Sequence, residues 1–386
     1  MAVALDEPAQ EKAEEVKVGK NDIVIVGAGI IGIAAAFFLS KEDARVTLID
    51  RSFIGREASG ATAGTMSFQN KEPRLVPYVR ESIALWAQFQ DELGDAIEFR
   101  QPGGLRIAES EEQIAALRRS IESQKKAGLD VKLLLGGELN NFAPYLGPSV
   151  IAATYYERDA RSNPVTAPLA LAQAARERGV AIVENEAVTG IQVEGPKRFL
   201  VRTRGRVLKT SCIINAAGVW SKEIFNMIGL DFPVTLDPMQ VMVTEPSAPI
   251  FDRIITHVNG NLTLKQVDSG NVVIGGGLRG EGDEKRGIKR PLYQSMEESI
   301  KSACRAIPGL QFLNLIRCWV GLEGRTPDKM PLLGALDSCP GFLSASCVKG
   351  GWTLGPLLAK VVSEMALGKK SPLPIEEFHP RRFLAR

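Results

Sequence analysis

Three glycines near the start of the chain have a spacing that suits phosphate chemistry. Gly27, Gly29 and Gly32 form the pattern G-x-G-x-x-G, which allows a tight turn, the approach of backbone amides to a pyrophosphate, and close packing of a helix on a strand. Asp50 follows at about the 20-residue spacing at which an acidic side chain binds a ribose hydroxyl. The pattern predicts a dinucleotide-binding site, and it does not separate FAD from NAD.

A strand, a turn and a helix must position these residues, and the surrounding sequence predicts all three. Asp22 to Val26 contains a continuous β-branched run, typical of a strand that is buried on both faces. Ile30 to Ser40 is predicted to be an apolar helix, and Arg45 to Ile49 a second buried strand. This strand–helix–strand unit indicates a parallel sheet, with the glycine turn at the N-terminus of the helix, where anions bind favourably.

The composition of the 386 residues excludes several other classes of protein. Hydrophobic residues make up 45% and the formal net charge is +2, which is typical of a globular protein and excludes a disordered chain. The basic residues are scattered, so we expect no binding to nucleic acid. Five cysteines without a C-x-x-C pair, and only two histidines, indicate neither a disulfide framework nor a metal site. A cytoplasmic location fits best.

The N-terminal and apolar segments predict neither export nor membrane insertion. Residues 1–20 are expected to be a disordered leader, because they lack the basic end and the apolar middle of a signal peptide. The longest apolar run, Ile23 to Leu39, is shorter than the roughly 20 residues that span a bilayer and is interrupted by glycines. We therefore expect no transmembrane segment.

Further segments of small residues follow the glycine turn: Asp50-Arg51 with Ala58 to Gly64, Ala187-Val188, Ile213 to Ser221, Thr326-Pro327-Asp328 with Pro331 and Gly334, and Gly350-Gly351. In this order they resemble the flavin-contacting segments of the D-amino acid oxidase-like (DAO) family of FAD enzymes. The resemblance implies non-covalent FAD, bound by Gly27, Gly29, Ile30, Ile31, Gly32, Asp50, Arg51, Ser59, Gly60, Ala63, Gly64, Val188, Ala216, Ala217, Gly218, Trp220, Gly350, Gly351, Trp352 and Thr353.

The same resemblance implies the fold. It is an α/β fold of the glutathione reductase-like type, with a Rossmann-like FAD-binding domain and an inserted, mostly antiparallel α+β substrate domain. We expect a discontinuous FAD-binding domain made of residues 21–85, 150–230 and 320–386. The substrate or partner domain is expected to contain residues 86–149 and 231–319.

The string Gly321-Leu322-Glu323-Gly324, followed by Pro327-Asp328, resembles one branch of the family. This branch contains the FAD subunits of opine oxidases, D-hydroxyproline dehydrogenases and hydrogen cyanide synthase. The resemblance implies oxidation of the C–N bond of an opine, a D-amino acid, hydroxyproline or glycine. It also implies that other subunits carry an electron-transfer centre. Family members that act on amino acids commonly have an arginine where this chain has Glu323, so recognition of a simple α-amino acid is weakened.

Two charged residues, Glu323 and Lys349, are the candidates for the chemistry. The predicted reaction is hydride transfer from the α-carbon of an amine to flavin N5. Glu323 is the candidate base, and Lys349 is a candidate ligand for the substrate carboxylate. Met66, Phe68 and Trp352 are candidate walls of the flavin or substrate site, and ordinary core packing is the alternative for all three.

Other interpretations stay open at this point. A subunit that holds FAD only for electron transfer or assembly would contain flavin that no small amine reduces. An NAD-dependent dehydrogenase would be colourless, and flavin-dependent modification of RNA would need a basic patch that the sequence lacks. Cys347 is expected to be a small buried residue rather than a flavin attachment point, and His257 a satisfied surface group.

Overall fold

The computed structural model describes residues 22–384, so the leader expected at residues 1–20 lies outside the described residues. The described residues form nine α-helices: α1 Ile30–Leu39, α2 Ala58–Ala61, α3 Val76–Leu93, α4 Glu111–Lys126, α5 Gly136–Phe142, α6 Thr166–Glu177, α7 Ser221–Asn226, α8 Tyr293–Ala306 and α9 Gly351–Ala366. They also form 21 strands: β1 Asp22–Val26, β2 Arg45–Ile49, β3 Thr65–Met66, β4 Gly104–Ala108, β5 Lys132–Leu135, β6 Ala152–Tyr156, β7 Ala160–Arg161, β8 Ala181–Val183, β9 Val188–Gly195, β10 Arg198–Thr203, β11 Val207–Thr210, β12 Cys212–Asn215, β13 Thr235–Pro246, β14 Ile254–His257, β15 Thr263–Gln266, β16 Asn271–Gly275, β17 Glu281–Asp283, β18 Ile288–Arg290, β19 Leu315–Arg325, β20 Leu332–Ala335 and β21 Phe342–Ser346.

A six-stranded sheet contains the predicted strand–helix–strand unit. Its order is β20-β21-β12-β1-β2-β8, and every neighbouring pair is parallel except β20 with β21. Strands β1 and β12 are buried along their whole length, as expected for a parallel sheet that is covered on both faces. Both strands and the helix of the unit lie where the sequence predicts them, apart from one residue at the end of α1.

Four helices share the hydrophobic core of this sheet. Helix α1 is buried on nearly all sides and lies against α6 and α9, and α3 packs on α9. Trp86 and Phe89 of α3 belong to this core, although α3 continues past residue 85, where the expected FAD-binding domain is interrupted. Among the helices of residues 22–384, none combines the length and the apolar character needed to cross a bilayer.

A second sheet has eight strands in the order β19-β13-β16-β15-β14-β4-β6-β5. All its pairs are antiparallel except β14 with β4, which agrees with the mostly antiparallel substrate domain expected from the sequence. Strand β6 and the second half of β19 belong to this sheet, although the expected boundaries assign both to the FAD-binding domain. The second sheet therefore draws on more segments of the chain than the sequence indicates.

Strand β19 connects the two sheets. It pairs with β13 along most of its length, and its second half lies against α2 and the turn after β12. Trp319 Nε1 donates a hydrogen bond to the carbonyl oxygen of Ala61 at 2.8 Å. A Cβ at Gly321 would lie 2.6 Å from Ala61 Cβ, and one at Gly324 would lie 2.7 Å from Val219 Cα. Both glycines of the Gly-Leu-Glu-Gly string thus allow β19 to approach the Rossmann-like part.

Candidate active site

The turn after β1 requires glycine at two of its three predicted positions. Gly27 has a φ of +108°, and a Cβ there would lie 2.5 Å from the carbonyl oxygen of Ala216. A Cβ at Gly32 would overlap the carbonyl oxygen of Gly27. Gly29 is less confined, since its nearest neighbour is Ser59 Oγ at 3.1 Å from a built Cβ. The turn leaves its backbone open to a close-lying ligand.

Hydrogen-bonding groups surround the N-terminus of α1. Ile30 donates its amide to Ser59 Oγ at 2.9 Å. Asp50, at the end of β2, accepts hydrogen bonds from the amides of Ala28 at 2.6 Å and Ser52 at 2.7 Å. Burial raises the pKa of Asp50, while both amides oppose that shift. The helix N-terminus favours an anionic group, and Asp50 lies beside it, where a ribose hydroxyl can be bound.

A cavity of about 910 Å³ extends from this turn to β19 and the N-terminus of α9. Most residues predicted to bind FAD line it: Gly27, Gly29, Ile30, Ile31, Asp50, Arg51, Ser59, Ala63, Val188, Ala216, Ala217, Gly218, Trp220, Gly350, Gly351, Trp352 and Thr353. Glu323 and Lys349, the two candidates for the chemistry, line the same cavity. The structure therefore brings segments from four distant parts of the sequence to one place.

Three residues that were expected to contact FAD do not line the cavity: Gly32, Gly60 and Gly64. A Cβ at Gly60 would overlap the carbonyl oxygen of Gly55. Gly64 has a φ of +71° and lies against the carbonyl oxygen of Ser162. These glycines let the chain pack closely behind the cavity wall, and their direct contact with FAD stays a prediction.

Two tryptophans that were predicted at the site differ in their contacts. The guanidinium of Arg51 lies over the ring of Trp220, 4.6 Å from its centroid. Trp352 reaches the cavity, but its ring packs on Trp86 with a centroid distance of 4.8 Å and donates to Ser162 Oγ at 3.0 Å. Arg51 and Trp220 thus form one wall of the cavity, whereas the ring of Trp352 belongs to the core beneath it.

Met66 and Phe68 do not form walls of the substrate site. They are 0% and 1% exposed and do not line the cavity, and Phe68 packs edge-on against Tyr156 at 5.1 Å between ring centroids. Thr65 and Ser67 line the cavity instead, because successive side chains of an extended segment point to opposite sides. The expectation of substrate contact is corrected for both residues, which pack in the core.

Glu323 lies at the cavity with both carboxylate oxygens engaged. Its Oε1 accepts a hydrogen bond from the amide of Gly350 at 3.0 Å. Its Oε2 accepts from Arg325 at 3.2 and 3.3 Å, and Arg325 also pairs with the buried Asp237. Glu323 therefore connects β19 with the turn before α9. Because both of its oxygens already accept hydrogen bonds within the chain, a positioning role is favoured over the role of a proton acceptor.

Two lysines approach the turn before α9. Lys349 is exposed at the cavity, and partial desolvation together with the charge of Arg325 lowers its pKa. Lys71 follows β3 and is half-buried, with its Nζ so close to Gly350 that a Cβ there would overlap it. Burial lowers the pKa of Lys71 to about 8. Within residues 22–384, neither amine has a carboxylate oxygen closer than 4.0 Å.

Lys71 was not identified from the sequence. Thr65, Ser67 and Gln69 alternate with apolar residues and line the cavity, as is typical of a segment with one side toward a core. The alternation ends there, because Asn70 is polar and lines the cavity as well. Lys71 follows in a turn, where its amide donates to the carbonyl oxygen of Phe68 at 3.1 Å, so the pattern does not extend to this lysine.

Cys347 and His257 are both buried. The Cys347 thiol donates to the carbonyl oxygen of Gly218 at 3.1 Å, and burial raises its pKa to about 11, in agreement with the expected small buried residue. His257 is 5% exposed, which corrects its expected surface position. Its Nδ1 accepts from the amide of Asn259 at 3.2 Å, and its Nε2 lies 3.5 Å from Glu109. Burial follows from the place of β14 inside the eight-stranded sheet.

The described residues fit a dinucleotide. The turn after β1 excludes side chains, the N-terminus of α1 suits a pyrophosphate, and Asp50 suits a ribose. A Rossmann-like sheet with this cavity, closed by a second, antiparallel sheet, defines a dinucleotide-binding oxidoreductase. Residues 22–365 match the DAO family, described as FAD dependent oxidoreductase, and the chain therefore belongs to that family. FAD is its cofactor, and the fold class predicted from the sequence is confirmed.

The relatives cover almost the whole chain. The hydrogen cyanide synthase subunit HcnC of Pseudomonas protegens is 27% identical, over 94% of this chain and 96% of its own length. An opine oxidase subunit of Rhizobium meliloti is 26% identical, over 95% of this chain and 98% of its own length. The crystal structure of L-proline dehydrogenase from P. horikoshii has a TM-score of 0.85 at 29% identity, over 95% of this chain and 98% of that one. Glycine oxidase from Geobacillus kaustophilus shares the fold, with a TM-score of 0.87 at 24% identity, over 94% of this chain and 99% of that one.

Proposed function

We propose that this protein oxidises the C–N bond of an amino acid or secondary amine, as the catalytic subunit of a heteromeric dehydrogenase. The observation that carries the proposal is that the FAD-binding segments line one cavity with Lys71 and Lys349, neither of which has a carboxylate oxygen of residues 22–384 within 4.0 Å. A carboxylate-bearing amine complements these charges. The names of the relatives, among them an opine oxidase subunit and an L-proline dehydrogenase, support the same class of substrate.

Bound FAD supplies the chemistry of hydride acceptance from the substrate carbon. The residues of the chain then have the tasks of binding and orientation. Lys71 and Lys349 hold the substrate carboxylate as point charges, which fixes the carbon relative to the cofactor. Helix α9 begins at Gly351 beside these lysines, and its N-terminus would stabilise negative charge on a group bound there.

Glu323 positions this arrangement in our proposal. Its contacts with Gly350 and Arg325 hold the turn that carries Lys349. The role of general base, expected from the sequence, is the alternative for this residue. The two roles differ in their pH dependence, because a base must lose its proton before turnover.

Both curated relatives reported above are named as subunits, and this chain covers 96% and 98% of their lengths. This supports a chain that passes electrons to other subunits carrying an electron-transfer centre. We also propose that FAD is bound without a covalent link. The pKa of Cys347, which lines the cavity, is raised to about 11 by burial, so the reactive thiolate form is disfavoured.

The test is anaerobic bleaching of the flavin absorbance of the purified protein. The panel contains D-amino acids, glycine, sarcosine, prolines and opines, and bleaching by one class is the expected result. A control with dithionite establishes that the bound flavin can be reduced at all. A yellow protein that dithionite bleaches and no amine bleaches would overturn the proposal and favour a subunit that only transfers electrons.

A further inference from the structure

The cavity is lined by an arginine, Arg106, that the function proposed above does not use. Arg106 lies on β4 and lines the cavity together with Gln69, Ser120, Val258 and Asn259. Its guanidinium donates to Ser120 Oγ at 3.0 Å and to the carbonyl oxygens of Val258 at 3.1 Å and Gln69 at 3.5 Å. Its Nε is buried and has no hydrogen-bond partner within the described part of the chain, residues 22–384. All three acceptors are neutral oxygens.

The positive charge of Arg106 is not compensated. No carboxylate oxygen of residues 22–384 lies within 4.0 Å of it, whereas Arg279 and Arg325, at the same cavity, both pair with Asp237. Glu109 is the acidic residue nearest to Arg106 in the sequence on its C-terminal side, but it already pairs with Arg305 at 2.9 Å. Burial lowers the pKa of Arg106. A half-buried cation without a counter-ion is costly, and an anion in the cavity would remove that cost.

A buried polar network holds Arg106 in place. The side chain of Gln69 donates to the carbonyl oxygen of Gly104 at 2.9 Å and accepts from Thr154 at 2.6 Å. The backbone carbonyl of Gln69, which also contacts Arg106, accepts from the buried Gln124 at 2.8 Å. Each of these contacts orients the wall around the guanidinium, so the arginine is fixed before any ligand arrives.

Arg106 is close to the lysine pair through the chain itself. Gln69 contacts Arg106, and Lys71, two residues later, contacts the turn before α9. Two residues of extended chain span at most about 7 Å. The cavity therefore presents two separate cationic positions on one wall, Lys71 with Lys349 at one and Arg106 at the other.

We propose that Arg106 binds a second carboxylate of the substrate, so that the enzyme acts on dicarboxylic secondary amines in which two acidic arms flank the nitrogen. This inference rests on the proposed amine oxidation and narrows its substrate class. The first carboxylate lies at Lys71 and Lys349 and the second at Arg106, with the oxidised carbon between them. Arginine suits this role because its guanidinium stays charged, and the contacts given above leave the second N–H of Nη2 for a carboxylate oxygen.

The experiment compares matched substrates on the FAD-loaded full chain. N-(ω-carboxyalkyl)glycines with one to four methylenes are paired with N-alkylglycines of the same length, which lack the second carboxylate. We expect wild type to favour the carboxylated member of at least one pair in kcat/KM. Arg106→Gln should reduce that preference by about 10–100-fold, through KM rather than through the rate of flavin reduction, and Arg106→Lys should restore part of it. Arg119→Gln, an exposed charge change on α4, is the matched control and should leave the preference unchanged.

The outcomes separate this inference from the proposed function. No preference in wild type, or an equal loss of kcat/KM for both members of each pair in a folded Arg106→Gln, would overturn the inference and leave amine oxidation standing.

If no amine bleaches the flavin, the proposed function fails. The arginine is then tested with glutarate, which needs no turnover. A glutarate-induced shift in the flavin spectrum that Arg106→Gln abolishes supports the anion site, and its absence in wild type overturns it. If Arg106→Gln does not fold, Ser120→Ala, which removes one hydrogen bond to the guanidinium, should weaken the same preference, and an unchanged preference would contradict the inference.

Discussion

The two ends of the cavity are built from different kinds of group. At the dinucleotide end, backbone amides and residues without side chains form the surface, and Asp50 and Arg51 have partners within the chain. At the substrate end, Lys71, Lys349 and Arg106 project charges that no carboxylate of residues 22–384 neutralises within 4.0 Å. The dinucleotide end therefore binds through backbone groups and the N-terminus of α1, whereas the substrate end presents basic side chains, among which Glu323 partly opposes the lowering of the pKa of Lys71 and Lys349. Binding of the cofactor and recognition of the substrate can therefore be disturbed separately.

The largest expected effect comes from breaking the dinucleotide end. Gly27→Ala places a Cβ 2.5 Å from the carbonyl oxygen of Ala216 at a φ of +108°, which strains the turn and displaces its amides. We expect a loss of FAD affinity of about 100-fold or more. The ratio of flavin to protein absorbance, followed by titration with FAD, measures it. Gly229→Ala is the control. Gly229 also has a positive φ, +78°, but a Cβ built there has no atom of residues 22–384 within 4 Å apart from its chain neighbours, so this variant should keep its flavin. Equal flavin content in both variants would contradict this explanation.

A smaller effect, at the substrate end, is expected from removing one charge. Lys71→Met should lower kcat/KM for a carboxylate-bearing amine by about 10–100-fold, the usual range for a hydrogen bond to a charged group, with flavin content unchanged. Steady-state kinetics with an artificial electron acceptor measure it, and Lys370→Met, an exposed lysine, is the control. Unchanged kinetics in Lys71→Met would remove this residue from the site.

The pH dependence of the same residue sharpens the prediction. Because burial lowers the pKa of Lys71 to about 8, its charge is lost as the pH rises through about 8. The affinity for propanoate, which has no amine to titrate, should therefore fall above that pH in wild type. In Lys71→Arg the fall should begin at a higher pH, because arginine stays charged. Titrations of the flavin spectrum on both sides of this pKa test this, and coincident curves for both proteins would contradict it.

Glu323→Gln tests whether the substrate end contains a proton acceptor. Glutamine keeps the oxygen that accepts from Gly350, so we expect turnover to fall by about tenfold or less, as for one weakened charge-assisted hydrogen bond. The shape of the pH profile should not change. Loss of the acidic limb of the kcat/KM profile in this variant would instead identify Glu323 as the base.

The smallest effect is expected at Cys347, which lines the dinucleotide end. Cys347→Ala removes a small thiol that donates to Gly218 and contacts Ser221 and Ser346 within the core, so flavin content should stay the same. Acid precipitation should release free FAD from wild type and variant alike. Flavin that stays in the wild-type pellet and leaves the variant would show a covalent link at this cysteine.

The difference between the two ends also explains what the sequence could predict. The turn of Gly27 to Gly32 and the strand before it are local, so their spacing alone indicates their geometry. Lys71 and Arg106 are placed by long-range packing: Arg106 is held by groups from the segment after β3, from α4 and from the β14–β15 turn. Glu323 was found, but its bonds to Gly350 and Arg325 depend on the meeting of β19 with α9. The spacing of residues in the sequence does not indicate this contact between β19 and the turn before α9.

The order of strands in the parallel sheet has a consequence for synthesis of the protein. Ile23 pairs with the nearby Val46, but its other neighbour is Cys212, and Ile213 in turn pairs with Phe342, more than 300 residues after the glycine turn. During translation the glycine turn is made long before β12 and β21, so the sheet that supports it is complete only after Phe342 has left the ribosome. FAD binds the finished site, so its binding free energy is added at this last step. The supply of flavin in the expressing cell should therefore set how much of the newly made chain is retained in the folded state.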